Sequence, residues 1–178
     1  MKKIFALLFI IQSILTFSQV KWMTIEEALE AQKTQPKKIL IDFYADWCGP
    51  CKIMDKKTYG NAVIYEILNT NYYPVKFNAE DKKTIEVFGR KFSNENSSQR
   101  KGRNSLHEFT QFMNVNAVPT TALLDETGRP ITMLQGELTA KELEPYLVFI
   151  SGDLHKKFKT QGEWEDYQRK FKSKIKEQ

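Results

Sequence analysis

The only two cysteines in the chain, Cys48 and Cys51, lie three positions apart, directly after the apolar run 39–44. That short β-favouring run reads as a buried strand, and the cysteines then fall where the strand gives way to a helix. Their spacing puts both sulfurs on one turn, where they can close a small, reversible disulfide. The first sulfur meets the positive end of the helix dipole, which favours thiolate over thiol. A thiolate at that position attacks another disulfide, and the second cysteine releases the mixed intermediate. On this reading Cys48 is the nucleophile, on the exposed side, and Cys51 resolves. A structural staple fits poorly, because stabilisation grows with the length of the loop closed and this loop is trivial. A zinc site needs further ligands, and the two histidines, His107 and His155, have no metal-ligand spacing to the pair. No metal and no cofactor are expected beyond a redox-active Cys48–Cys51 disulfide.

The N-terminus bears on where such a pair would work. Met1-Lys2-Lys3 is charged, residues 4–17 are apolar apart from Gln12, Ser13 and Thr16, and Ser18 and Gln19 follow. This reads as a signal peptide over 1–19, cleaved near Ser18 or Gln19. The alternative is an uncleaved membrane anchor, although the stretch is short for a span and no second span follows. No cysteine lies near the cleavage region, which excludes a lipoprotein anchor. Export to the periplasm, or secretion, is therefore expected, into a compartment that permits disulfides. The 178 residues suit one domain, 20–153, with a helical extension over 154–178. The net charge of +5 is spread along the chain. No nucleic-acid motif accompanies it, so no nucleic-acid partner is expected. A monomer is expected.

Along the mature chain, Thr24-Ile25-Glu26-Glu27 reads as a capping box opening a helix to about Gln32. Strand 39–44 contains one anomaly, Asp42. A helix from Cys48 to about Lys57 follows, then a second with Val63, Ile64, Ile67 and Leu68 on one face, then a strand over 73–77 containing Lys76. Residues 84–93 read as a β-hairpin turning at Phe88-Gly89-Arg90. Residues 93–104 read as a basic loop with Arg100, Lys101 and Arg103, a solvated surface more readily than a binding patch. Helix 105–113 is expected to turn Leu106, Phe109, Phe112 and Met113 inward. Strands 120–124 and 130–134 flank a turn at 125–128. Thr139 caps a helix to about Ile150, with Pro145 tolerable only near its start. The tail 160–175 is amphipathic, with Trp164, Tyr167, Phe171 and Ile175 near one face. It reads as a helix packed on the domain, the alternative being a membrane-surface helix with Lys170, Lys172 and Lys174 at headgroups. The element order implies an α/β protein with a central mixed sheet and helices on both faces.

At residues 41–52, Ile-Asp-Phe-Tyr-Ala-Asp-Trp-Cys-Gly-Pro-Cys-Lys, the chain resembles the thioredoxin-like superfamily. The likeness covers about 39–147, interrupted by an insertion over about 81–104. Val118-Pro119-Thr120 is similar to the family's cis-proline loop, Lys76 to its strand lysine, and Gly136 to the glycine after its last hairpin. The chain departs from thioredoxin itself at Asp55, Lys56 and Lys57, where a helix-kinking proline is absent. Residues 44–47 and 56–59 look more like exported thioredoxin-like proteins and the C-terminal domain of DsbD. The resemblance implies a thioredoxin-like fold with an insertion before the cis-Pro loop and an extra C-terminal helix. It also implies a cis Val118–Pro119 bond that sets a bare backbone edge beside Cys48, where an extended substrate can pair. The substrate-facing residues are then Trp47, Gly49, Pro50, Val118 and Pro119.

A carboxylate inside an apolar strand is costly without a role or partner, and burial should raise its pKa. Asp42 can then exchange a proton with Cys51, with Lys76 as its charge partner. The alternative is a purely structural buried acid. The function expected is an exported thiol–disulfide oxidoreductase that reduces disulfides of other exported proteins, fed by a membrane electron donor of DsbD type. Gly49-Pro50 is the thioredoxin dipeptide, and thioredoxin is reducing at about −270 mV. The rival readings are an oxidase or isomerase, and a non-catalytic binding or chaperone module.

Overall fold

In the computed structural model the described residues are 19–94 and 106–176. The expected leader, apart from Gln19, and the basic loop residues Arg100, Lys101 and Arg103 lie outside them. The helices are α1 (Ile25–Thr34), α2 (Gly49–Ile53), α3 (Ala62–Asn71), α4 (Glu108–Phe112), α5 (Ala140–Ser151) and α6 (Gln161–Lys170). The strands are β1 (Lys38–Tyr44), β2 (Tyr72–Asn78), β3 (Ile85–Val87), β4 (Arg90–Phe92), β5 (Thr120–Leu124) and β6 (Pro130–Gln135). Three helices begin with a complete capping box: Thr24 with Glu27, Thr139 with Glu142, and Thr160 with Glu163. In each, the threonine accepts from the third helical amide while the glutamate reaches back to the threonine amide, so two otherwise orphaned donors are satisfied.

The main sheet has the order β2-β1-β5-β6, with β1 parallel to β2 and the other neighbours antiparallel. Side chains alternate between its faces with the pleat. Ile39, Ile41 and Phe43 enter one core cluster with α1, the β3–β4 hairpin and Phe109 of α4, while Leu40 enters a second with α3, α5 and Met54. Asp42 shares the pleat phase of Leu40 and so lies on that second face.

The β3–β4 hairpin is part of the core, since Ile85, Val87 and Phe92 are buried against the first cluster. It also meets the β5–β6 turn. Gly128, at φ 78°, lies so close to the Phe88 ring that a Cβ would approach it to 2.8 Å. His107 is fully buried as the cap of α4: its Nδ1 accepts the Phe109 amide, so Nε2 carries the proton toward the Lys83 carbonyl at 2.9 Å.

Four sequence expectations need correction. The active-site helix does not run as one α-helix to Lys57: α2 passes into a π-helical turn over Met54–Thr58, which reorients the chain without a proline. Helix α4 starts only at Glu108 and is a single turn, ended by Asn114 in the left-handed region. Phe112 is therefore not turned inward but is 51% exposed, on a rim with Phe88 and Arg90. Pro145 sits at the sixth position of α5 rather than in its first turn, where it removes one amide from the ladder. Finally, the tail is not helical to Ile175. Helix α6 stops at Lys170, and residues 171–176 cross back over α5, where the buried carboxylate of Glu144 accepts from the Lys174 amide at 2.9 Å and from the Ser173 hydroxyl.

The apolar side of α6 packs on α5. Trp164 lies 4.7 Å from Tyr146 and 4.8 Å from Phe149 between ring centroids, and Tyr167 lies 4.9 Å from Phe149. Trp164→Ala should remove this contact and cost about 2–3 kcal/mol, read as a lower urea midpoint. A loss under about 0.5 kcal/mol, the size of an ordinary surface change, would mean that the extension does not share the core.

Candidate active site

Cys48 and Cys51 form a disulfide with a Cα–Cα separation of 5.3 Å. Cys48 is the N-cap of α2, and its Sγ accepts the Cys51 amide at 3.2 Å. An amide aimed at this sulfur stabilises negative charge on it once the disulfide opens, adding to the helix-start field. The expectation that Cys48 lies on the exposed side is corrected: Cys48 is 1% exposed and Cys51 2%. The Cys48 amide turns back to the Ala45 carbonyl at 3.0 Å, and Ala45, Tyr44 and Val118 pack around both sulfurs. The neighbouring Trp47, at 62% exposure, is the most open large apolar side chain among the described residues, and Gly49 and Pro50 are also exposed.

The strands carry a polar row across the sheet. Asp42 is in register with Lys76 of β2 on one side and Thr121 of β5 on the other. Asp42 is 1% exposed, and its Oδ1 has no hydrogen-bond partner among the described residues. Desolvation pushes its carboxyl up to about 7, overcoming the opposing pull of the Lys76 charge, while the nearby Asp55 charge reinforces the rise. Tyr59 closes the row from the π-helical turn's end. Its buried hydroxyl lies 3.0 Å from Thr121 Oγ1, and burial followed by the Asp42 charge holds its pKa well above the usual phenol value.

Lys76 is shared between two carboxylates. Its Nζ lies 3.8 Å from Asp42 Oδ2 but hydrogen-bonds Asp55, so Asp55, not Asp42, is its nearer partner. Two rings flank the ammonium, Tyr44 at 5.0 Å and Trp22 at 5.3 Å from their centroids. On the outer side, the Trp47 indole donates to Glu80 Oε2 at 3.0 Å.

The Val118–Pro119 bond is cis. Val118 packs against the disulfide, while Pro119 is buried and its carbonyl accepts the Gly136 amide at 2.9 Å. The structure thus brings Cys48, Cys51, Val118 and Trp47 to one end of the sheet, with Asp42 and Lys76 behind them. Sequence reasoning did not single out Tyr59, Thr121, Asp55, Trp22 or Glu80. Asp55 had a signal, since it lies one helical turn after Cys51. Thr121 had none until strand register was known.

Residues 25–151 match the family of thioredoxin-like domains. Among relatives, the chain is 31% identical over 67 residues to the thiol:disulfide interchange protein DsbD of Pseudomonas sp. (strain JR1 / K1), covering 37% of this chain and 12% of that protein. It is 47% identical over 38 residues to thioredoxin H2-1 of Oryza sativa subsp. japonica, covering 21% of this chain and 25% of the relative. The chain thus matches only a small part of each relative's length. Two solved structures share the fold. One is a thioredoxin-fold protein from Helicobacter pylori, with TM-score 0.58, 17% identity and coverage of 75% of this chain and 83% of that one. The other is a thioredoxin from Thermus thermophilus, with TM-score 0.56, 14% identity and coverage of 74% and 87%.

The raised Asp42 carboxyl makes folding stability depend on pH. The folded state holds this proton up to about pH 7, whereas the unfolded chain releases it near the ordinary carboxyl value of 3.8. The contribution is therefore fully present below about pH 4 and is lost as pH rises through 7, on the order of 4 kcal/mol at most. Asp42→Asn should remove that decline, so that its stability relative to the parent rises between pH 4 and pH 8. Urea unfolding of the oxidised proteins at both pH values measures it. A constant difference would mean that Asp42 is ionised in the fold.

Proposed function

The chain belongs to the family of thioredoxin-like domains; on that premise we propose that it is an exported thiol–disulfide oxidoreductase that works through the Cys48–Cys51 pair and reduces disulfides of other exported proteins. The observation that carries this reading is the disulfide at the start of α2 with a buried, raised carboxyl on the sheet behind it. In the reduced protein the Cys48 thiolate attacks one sulfur of a substrate disulfide, that bond breaks, and a substrate thiolate leaves. Ionised Asp42 accepts the Cys51 proton. The Cys51 thiolate then attacks Cys48 Sγ, closing the intramolecular disulfide and releasing the second substrate thiolate. Two electrons have moved to the substrate, and a membrane electron donor of DsbD type restores the dithiol.

Trp47, Gly49 and Pro50 form the exposed rim on which a substrate lands, and the Val118–Pro119 edge beside the sulfurs pairs with its extended backbone. The reducing direction draws support from Gly49-Pro50 between the cysteines, the dipeptide of thioredoxin at about −270 mV. The charged and then apolar N-terminus supports export.

Reduced protein should catalyse insulin reduction, and Cys48→Ser should abolish it. Cys51→Ser should accumulate mixed disulfides from which exported substrates are identified. Alkylation near neutral pH should modify Cys48 first; earlier labelling of Cys51 would reverse the two roles. Asp42→Ala should slow exchange roughly a hundredfold, and an unchanged rate across pH would remove the carboxyl from the reaction. A reduction potential above about −180 mV, that of a disulfide isomerase, would replace the reductase by an oxidase or isomerase.

A further inference from the structure

The segment ahead of the family-matched domain is fastened to the site. Met23 forms a parallel bridge to Val75: its amide donates to the Pro74 carbonyl at 2.9 Å, and its carbonyl accepts the Lys76 amide at 3.3 Å. Two residues earlier the Lys21 amide donates to Asn69 Oδ1, and Asn69 Nδ2 donates back to the Gln19 carbonyl, both at 2.9 Å. Trp22 is thus held by its neighbours on both sides. Its ring does two things at once. It lies 5.3 Å from the Lys76 ammonium, and it meets Tyr59 edge to face at 5.0 Å with the planes 89° apart. Lys76 and Tyr59 are the groups that flank Asp42 on its own face of the sheet.

We propose that Trp22 is a positioning residue for disulfide exchange: it keeps the Lys76 ammonium beside the buried Asp42 carboxyl instead of letting it follow Asp55 outward. Asp55 takes the closer hydrogen bond and has a side chain 38% exposed, whereas Asp42 Oδ2 is 3.8 Å away. Left to those two carboxylates, a flexible ammonium moves toward the wetter one, because its own hydration is better preserved there. The faces of Trp22 and Tyr44, at 5.3 and 5.0 Å, oppose that movement by attracting the cation. The titratable and charged groups around the pair are Asp42 and Tyr44 from β1, Asp55 from the π-helical turn, Tyr59 after it, and Lys76 from β2. From β5 only the neutral Thr121 faces Asp42.

This inference rests on the proton role given to Asp42 above, and its test is read without substrate. In the full-length oxidised protein the Asp42 carboxyl is titrated by carbon NMR. Trp22→Ala should move the midpoint upward by about half to one pH unit, the strength of a partly shielded cation–ring contact. Trp22→Phe, which keeps a ring face, should restore most of the parent value, whereas Trp22→Leu, which keeps only apolar bulk, should behave like Trp22→Ala. The pH profile of insulin reduction should move with the midpoint. If Trp22→Ala does not fold, the Phe and Leu variants carry the comparison. A midpoint that stays, or moves downward as water enters, overturns the proposal, as does restoration by leucine, which would make Trp22 simple cover. If the midpoint moves as expected while Asp42→Ala leaves exchange rates unchanged, Trp22 holds Lys76 as inferred and the proton role alone fails.

Discussion

Asp42 is a carboxyl almost wholly withdrawn from solvent, at 1% exposure, and much of the site is arranged around that cost. Its position on the central strand is dictated by the pleat: residues 39, 41 and 43 take one face, so 40 and 42 must take the other. Strand register then fixes its neighbours, Lys76 on the parallel side and Thr121 on the antiparallel side. The Lys76 charge does not return it to the ordinary carboxylate range. Desolvation outweighs the Lys76 attraction, and Asp55 both adds negative charge and draws the ammonium toward itself. A carboxyl poised near neutrality is what a proton exchange with a thiol requires.

The disulfide is placed by the same strand. Where β1 ends, the chain turns through Ala45 and begins α2 with Cys48 as its cap, so strand exit and helix entry meet at the first sulfur. The chain departs from α-helical geometry over Met54–Thr58, where it lacks the helix-kinking proline of thioredoxin. That departure brings Asp55 onto Lys76 and delivers Tyr59, just beyond the turn, onto Thr121. The β3–β4 hairpin closes the core on the α1 side, the C-terminal segments cover α5, and the residues before α1 cover Lys76.

Much of this was legible in the chain. The cysteine spacing, the apolar run before it and Asp42 within that run located the site. The capping threonines Thr24 and Thr139 located two helix starts, and the turn at residues 88–90 located the β3–β4 hairpin. These signals are local: capping, pleat alternation and turn chemistry act over a few residues, and the sequence writes them directly. The misreadings came where a local pattern competed with the rest of the fold. Phe112 matched an inward helical face, but the helix is one turn long and the chain reverses at Asn114. Ile175 matched the face of α6, but the helix ends at Lys170 once Glu144 captures the chain beyond it.

The sequence by itself determined the chemistry available, two thiols at a helix start behind a strand with a buried acid, because each residue type and spacing acts within one turn or one pleat. Only the tertiary structure decided the electrostatics of that acid. Trp22, Asp55, Tyr59, Lys76 and Thr121 lie far apart along the chain or on different elements. Their meeting around Asp42 depends on strand register, on the π-helical turn and on a β-bridge from the N-terminal segment. Burial and charge act through space, and spatial neighbours of this kind are not written in the order of residues.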